Sequence, residues 1–390
     1  MTASRVYLDW NATTPLRDEA RAAQAAAFEL GNPSSVHAEG RKARGVVEEA
    51  RAAVAAAVGA RPQQVIFTSG GTEANALALT PGLKTSTKSL DRLIVSSIEH
   101  ASVVSGGRFA ADRVSAIAVD RSGLVDLGHL QALLERDGPA LVSVMLANNE
   151  TGAIQPIAAV AELVHRAGGL LHVDAVQALG KIPIDIKQLG ADLVSVSAHK
   201  LGGPKGVGAL ILADGMALAE PLLRGGGQEQ GRRAGTENVA GIAGFGAAVT
   251  AAIAALPADA ARLAKLRQKL EKNLRQTQGS VIFAQDVPRL PNTILVGLPG
   301  LKAETAVIGF DLAGIAVSSG SACSSGKVQP SHVLKAMQVE DRLLRSAIRI
   351  SLGAATTDAD IERCAEAWRK LAATLIRRDD ETELERFQTS

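Results

Sequence analysis

Between residues 62 and 212, short apolar runs rich in branched side chains alternate with helix-period stretches, and this alternation limits the possible folds more than anything else in the chain. The runs are QVIFTS at 64–69, RLIVSS at 92–97, AIAVD at 116–120, ALVSVML at 140–146, LLHVD at 170–174, LVSVSA at 193–198 and ALIL at 209–212. Runs of this length suit strands covered on both faces. Strand and helix in strict alternation imply a mainly parallel sheet with helices on both sides. In such sheets, ligands sit beyond the carboxyl ends of the strands. The polar clusters fall there: GGTEAN after the first run, EH after the second, NNETG after the fourth, DAVQ after the fifth and HK after the sixth.

Within those clusters, Lys200 follows the sixth run and precedes a turn rich in glycine and proline, so a strand's end holds it. Asp174 closes a run so apolar that its carboxylate would be costly to bury without a partner. His100 closes another run. Gly70-Gly71-Thr72 stands between a strand and a helix, where free backbone N–H groups and a hydroxyl form a ready anion site. The helix dipole adds only about 0.3–1 kcal/mol at an exposed site, so a phosphate there needs more contacts, for which Ser197, His199 and Thr236 are candidates. Taken singly, each residue also fits a structural role as helix cap, surface lysine or core histidine. Together, a lysine, an aspartate, a histidine able to lie on a ring and a phosphate-binding helix start are the parts of a pyridoxal phosphate site. An ionised Asp174 would keep the pyridine nitrogen protonated, and Gln177, three residues on, could reach the ring's phenolic oxygen. Arg349, between Ile348 and Ile350 in an alternating run, could clamp a carboxylate or lie on an exposed strand face.

The two cysteines differ in setting. Cys323 lies in VSSGSACSSGK, among side chains too small to wedge a thiol into a core. Its thiolate form costs only about 2 kcal/mol at neutral pH, so modest help makes it a nucleophile. Cys364 lies in IERCAEAWRKL with apolar neighbours at helical spacing and reads as core. No disulfide framework follows from two cysteines, and MTASRVYLDW lacks the apolar centre of a signal peptide, so a cytoplasmic protein is expected. Forty-two basic and 40 acidic residues leave a formal charge of +2, which gives no electrostatic reason to expect a nucleic-acid or membrane partner. The stretch VAGIAGFGAAVTAAIAAL at 239–256 is uncharged and long enough for a membrane helix, but its alanines and glycines favour a buried helix of a globular domain.

The rest of the chain frames this core. An extended segment at 5–14 precedes an alanine-rich helix to about 29, the loop GNPSSVH at 31–37 and a second helix at 38–58. Residues 224–238, RGGGQEQGRRAGTEN, form a glycine-dense loop that is either a lid or a segment crossing to a partner subunit. A charged amphipathic helix is expected at 259–276, then a smaller α/β domain built from VIFAQ, NTILVGL, GIAVSSGSAC and AIRISLG, with helices at 303–312, 331–337 and 358–377 and a frayed tail. The expected division is a large domain at 15–257 and a small domain formed by 1–14 with 258–390.

Taken in order, YLDWNATTP, GNPSSVH, FTSGGTEAN, EHASV, NNETG, HVDAVQ, SAHKLGGPKGVGAL, RRAGT, SSGSACSS and RISLG resemble the signatures of the cysteine desulfurases of the NifS/IscS type, over about 6–355. The resemblance implies the class V aminotransferase group, the fold type I of pyridoxal phosphate-dependent transferases and a homodimer. It implies that Lys200 joins the cofactor's aldehyde. Gly71, Thr72, Ser197 and His199 would hold the phosphate, with Thr236 reaching in from the neighbouring subunit. Asp174 would pair with the pyridine nitrogen, Gln177 and Asn149 would contact the cofactor, and His100 would stack on it. Arg349 with Asn32 would bind the carboxylate of L-cysteine. Cys323 would carry the sulfur as a persulfide to an iron–sulfur scaffold or another acceptor protein, and could share a cluster with that scaffold; no metal of the chain's own is implied. Gln230, where the family usually has arginine, and Ala76, where a second asparagine is common, depart from the pattern. An aminotransferase or a selenocysteine lyase of the same fold would need the lysine site but not the thiol.

Overall fold

The structure, a computed structural model, describes residues 5–84, 89–319 and 330–388. All seven apolar runs become the strands of one sheet, in the order Val65–Thr68, Gly208–Leu212, Leu193–Ser197, Leu170–Asp174, Leu141–Ser143, Leu93–Ser96, Val114–Ile117. Five neighbouring strands run parallel, whereas Gly208–Leu212 is antiparallel to both its partners. Every residue of Leu193–Ser197 and Leu170–Asp174 is buried, as expected of strands with helices on both faces. The run at 116–120 contributes only its start, because the strand occupies Val114–Ile117 and its first residues are half-exposed at the sheet's edge.

Helix boundaries follow local chemistry. Asp126 caps Leu127–Asp137 by accepting from the His129 N–H at 3.0 Å, and Gly138, at φ 82°, ends it. His37 likewise caps Ala38–Ala56. The uncharged stretch at 239–256 lies against this helix and the one at Asp18–Ala27, as a core helix. A Cβ at Gly246 would fall 2.7 Å from the Ala50 Cα, so glycine is what lets the two backbones come so close.

The two helices expected at 239–256 and 259–276 are one, Val239–Leu274, with Pro257 inside. An interior proline costs about 3 kcal/mol. The helix persists because Leu263, Leu266, Leu270 and Leu274 beyond it are buried in a second core, each worth about 1.5–3 kcal/mol. The final helix runs from Asp358 to Gln388, past the end expected at 377.

The second core surrounds a four-stranded antiparallel sheet, Val281–Ile282, Thr293–Gly297, Ile348–Ser351 and Ser318–Ser319. Phe310 stacks on Trp368 there, at 6.5 Å between centroids, and Cys364 is fully enclosed, its thiol pushed up to about 12 by burial. The N-terminal segment joins this half, with Val6–Tyr7 pairing in parallel with Ile315–Ala316. It then turns through Asn11–Thr14 past the end of the Lys200 strand, where the Thr14 N–H donates to the His199 carbonyl at 2.9 Å.

Candidate active site

Asp174, Ser197 and Lys200 stand side by side because their two strands are parallel neighbours, and His100 follows Leu93–Ser96 two strands further on. The Lys200 side chain reaches the N-terminal segment, where its Nζ donates to the Asn11 and Ala12 carbonyls at 2.8 and 3.0 Å. Burial first, then the Arg349 cation, hold its amine down at about 8, although Asp174 and Asp9 work against both. At neutral pH about a tenth of such amines are unprotonated, against a few in ten thousand for a free lysine.

Asp174 is 5% exposed and accepts from Asn75 Nδ2 at 2.8 Å and from the Val176 N–H at 2.9 Å. Asn75 also donates to Ser102 Oγ at 2.9 Å, and that hydroxyl lies 2.8 Å from His100 Nδ1. The Ser102 N–H donates to the same nitrogen at 3.2 Å, so His100 carries its proton on Nε2 when neutral. Burial, with Lys200 and His332 nearby, lowers the imidazole's proton affinity, while Asp174 raises it. His100 is therefore a neutral ring at physiological pH.

Beside these groups, a cavity of about 410 Å³ opens at the start of helix Gly71–Ala78, lined by Ser69, Gly71, Thr72, Ser197, His199 and Lys205. A Cβ at Gly71 would lie 2.9 Å from Val176 Cγ2 and 3.4 Å from Ser197 Cβ, so a larger residue here would press on the Val176 side chain. Hydroxyls, a helix start and a lysine make up a donor set that fits a phosphate, and Glu73, also on the lining, has its carboxylate taken up by Arg233 at 2.9 Å and the Ser69 N–H at 2.8 Å. His199, near Thr13 Oγ1 at 3.2 Å, is held down at about 4 by burial and the lysines 200, 205 and 181, so it enters as a neutral ring.

Arg349 is buried rather than set on an exposed strand face. Its Nη2 pairs with Asp9 Oδ1 at 2.8 Å and its Nη1 donates to the Asn149 carbonyl at 3.2 Å, while Nε is buried without a hydrogen-bond partner among the described residues. Gln177 donates from Nε2 to the Asn11 carbonyl at 3.0 Å. Two expected site residues lie apart from this cluster. Asn32 is exposed, its carboxamide oxygen accepting from the Ser34 N–H within its own loop. Thr236 is exposed on the 224–238 loop, which a buried bidentate pair, Arg51 with Glu229 at 2.6 and 2.9 Å, ties to the large sheet's core. Gln230 follows Glu229 in this turn, both in the left-handed region. Cys323 lies outside the described residues. Among the described residues no group of three or more His, Cys, Asp or Glu side chains gathers as a metal site would.

Several residues at the site escaped the sequence reading: Asn11, Asn75, Glu99, Lys181 and Lys205. Glu99, beside His100, is fully enclosed, and its carboxyl is pushed up to about 8 by burial and by the Asp174 charge. Asn75 had a usable signal, since it lies four residues after Gly71 and so on the same face of the helix.

The model of the family "Aminotransferase class-V" matches residues 6–364. The chain belongs to the class-V aminotransferase family. Its relatives include the cysteine desulfurase IscS of Dictyoglomus turgidum, 42% identical over 91% of this chain and 91% of that protein. The cysteine desulfurase NifS of Azotobacter vinelandii is 40% identical, over 92% of this chain and 90% of its own. A solved NifS-like protein from Rickettsia africae superposes with a TM-score of 0.86 at 37% identity, covering 95% of this chain and all of that one. Within the class-V aminotransferases this is a cysteine desulfurase of the NifS/IscS type, with the fold of the pyridoxal phosphate-dependent enzymes.

Proposed function

We propose that the chain converts L-cysteine to L-alanine with pyridoxal phosphate held on Lys200, and passes the sulfur through Cys323 to an acceptor protein. The observation that supports this best is the clustering of the depressed Lys200 amine, the Asp174 carboxylate and the neutral His100 ring, each close enough to act on the others' charge, with the Gly71 cradle packed against Val176 and Ser197 beside them. When bound, pyridoxal phosphate supplies an aldehyde that links to amines and a ring that takes up the electron pair left at the substrate's Cα. Gly71, Thr72, Ser197 and His199, with Lys205, hold its phosphate. Asp174, fixed by Asn75 and the Val176 N–H, keeps a proton on the ring nitrogen. Gln177 and Asn149 would contact the cofactor, and His100 would be the side chain to stack on it.

Arg349 receives the substrate carboxylate, and Asn32 assists from its loop. The Lys200 amine would be the base that takes the Cα proton and the acid that returns a proton to the product. The Cys323 thiolate attacks the substrate sulfur, so that an S–S bond forms as the C–S bond breaks and its electron pair stays with the carbon. Protonation there yields alanine, and the persulfide remains on Cys323 for an iron–sulfur scaffold or another acceptor, with which Cys323 could also share a cluster. The protein is cytoplasmic and a homodimer, in which Thr236 completes the partner's phosphate site. The exposure of Thr236 on an anchored loop supports that arrangement. We also propose the division into 15–257 and 1–14 with 258–390; the second core, drawn wholly from 1–14 and 258–390, supports it, although Phe283, Leu290, Val333, Leu334 and Leu344 pack into the core of the large sheet.

Assaying alanine and sulfide from L-cysteine tests the scheme. Lys200→Ala is expected to lose the cofactor's visible absorbance and both products. Cys323→Ser is expected to keep the absorbance and lose at least 90% of the sulfide release; normal sulfide release from Cys323→Ser would overturn the persulfide step.

A further inference from the structure

Lys181 has no part in the scheme above, yet its Nζ lies 2.6 Å from Gln177 Oε1 and 2.9 Å from Asn11 Oδ1. A protonated lysine nitrogen placed between two carboxamides can only donate to them, and a neutral one has two N–H bonds to use the same way, so both oxygens turn toward it. That leaves the Gln177 amide nitrogen facing the other way, toward the Asn11 carbonyl at 3.0 Å. The Asn11 amide nitrogen is likewise turned to Thr293 Oγ1 at 2.9 Å, and Asn292 Nδ2 donates to the same Asn11 oxygen at 3.1 Å. The Asn11 carbonyl is in turn one of the two oxygens on which the Lys200 amine rests. Lys181 thus stands at the root of a chain of fixed orientations ending at Gln177 and Lys200.

We infer that Lys181 is a positioning residue that selects which end of the Gln177 carboxamide faces the cofactor ring and holds the Asn11 carbonyl as the rest for the Lys200 amine. This rests on the cofactor reading above. A phenolate oxygen on the ring needs a donor beside it, and Gln177 offers one only in the orientation that Lys181 and the Asn11 carbonyl together impose. With Lys181 removed, the Asn11 carbonyl alone is left to favour the amide nitrogen at its end, the flipped orientation becomes accessible, and an oxygen turned to the ring would repel the phenolate. Burial lowers the Lys181 amine well below the ordinary lysine range, and Lys200 and Arg349, the charges that face it, push the same way. The geometry holds in either protonation state, because a neutral amine still carries the two N–H bonds these two oxygens need.

The test uses the full-length protein loaded with pyridoxal phosphate and follows its visible band against pH. In Lys181→Met the apparent pKa of the band is expected to rise by about one unit, a tenfold change in proton affinity. Gln177→Leu should give a similar rise, and the double variant no more than either single one. A role confined to stability would lower the melting temperature and leave the band's pH profile alone. An unshifted profile in Lys181→Met, or shifts that add in the double variant, overturns the inference. If methionine prevents folding, Lys181→Gln, which keeps one donor end, should show a smaller rise in the same direction, and no rise there is equally decisive. Borohydride reduction separates this from the underlying reading: a wild-type protein left unlabelled at Lys200 sinks the cofactor assignment, whereas a labelled wild type with an unshifted Lys181→Met sinks only the role of Lys181.

Discussion

Glu99 shows how a single buried residue can be read for pH behaviour. Its Oε1 accepts from Ser96 Oγ and the Met145 N–H, both at 2.7 Å, and its carboxyl is raised from about 4.5 to about 8. The folded protein therefore keeps a proton that the unfolded chain releases between those values. The resulting stability, a few kcal/mol for a shift of this size, is fully present below about pH 4.5 and lost as pH rises through 8. Glutamine preserves the acceptor oxygen and removes the titration. Relative to the wild type, Glu99→Gln is expected to gain melting temperature steadily from pH 5 to 8, and parallel melting curves would count against this account. The motif EH pointed to His100 but gave no hint that the glutamate before it is enclosed. Burial of a polar side chain depends on which loops cover it, and no sequence periodicity records that. Asn11 and Lys181 were hidden for the same reason, since their partners lie far away in sequence, at Asn292 and Thr293 for the one and at Asn11 for the other.

Elements were more legible than residues, because hydrophobic period is local. The seven runs gave seven strands, and five polar clusters after them lie at or near the strands' carboxyl ends, including the helix start at Gly71. The antiparallel insertion of Gly208–Leu212 was not legible, since a strand buried on both faces carries no mark of its direction. The joined helix through Pro257 was misread because a proline's cost is local while the leucines that outweigh it belong to another core. Gly71 tests this scale best. In Gly71→Ala, the added methyl would lie 2.9 Å from Val176 Cγ2, so the Val176 side chain or the helix start must give way beside the cavity. Pyridoxal phosphate affinity is expected to fall at least tenfold, about 1.4 kcal/mol, with a melting temperature for the cofactor-free protein close to the wild type's. Unchanged affinity by equilibrium dialysis would mean the cradle does not hold the phosphate.

For the whole molecule, the question is how a site becomes complete when Thr236 is exposed and Asn32, among the described residues, bonds within its own loop. A homodimer in which Thr236 serves the partner's site predicts complementation. Lys200→Ala and Thr236→Ala proteins are expected to be inactive and impaired, respectively. Co-expressed, they form mixed dimers with one intact site, combining Lys200 from one subunit with Thr236 from the other. Activity per mixed dimer near half that of the wild type supports the arrangement, and activity no higher than that of Thr236→Ala alone contradicts it. The central claim, however, concerns one amine beside Asp174. The protein should be reduced with borohydride after incubation with pyridoxal phosphate, digested, and its peptides weighed. The expected result is a pyridoxyl phosphate mass on the peptide containing Lys200 and on no other lysine; label on a different lysine, or none at all, would contradict the account.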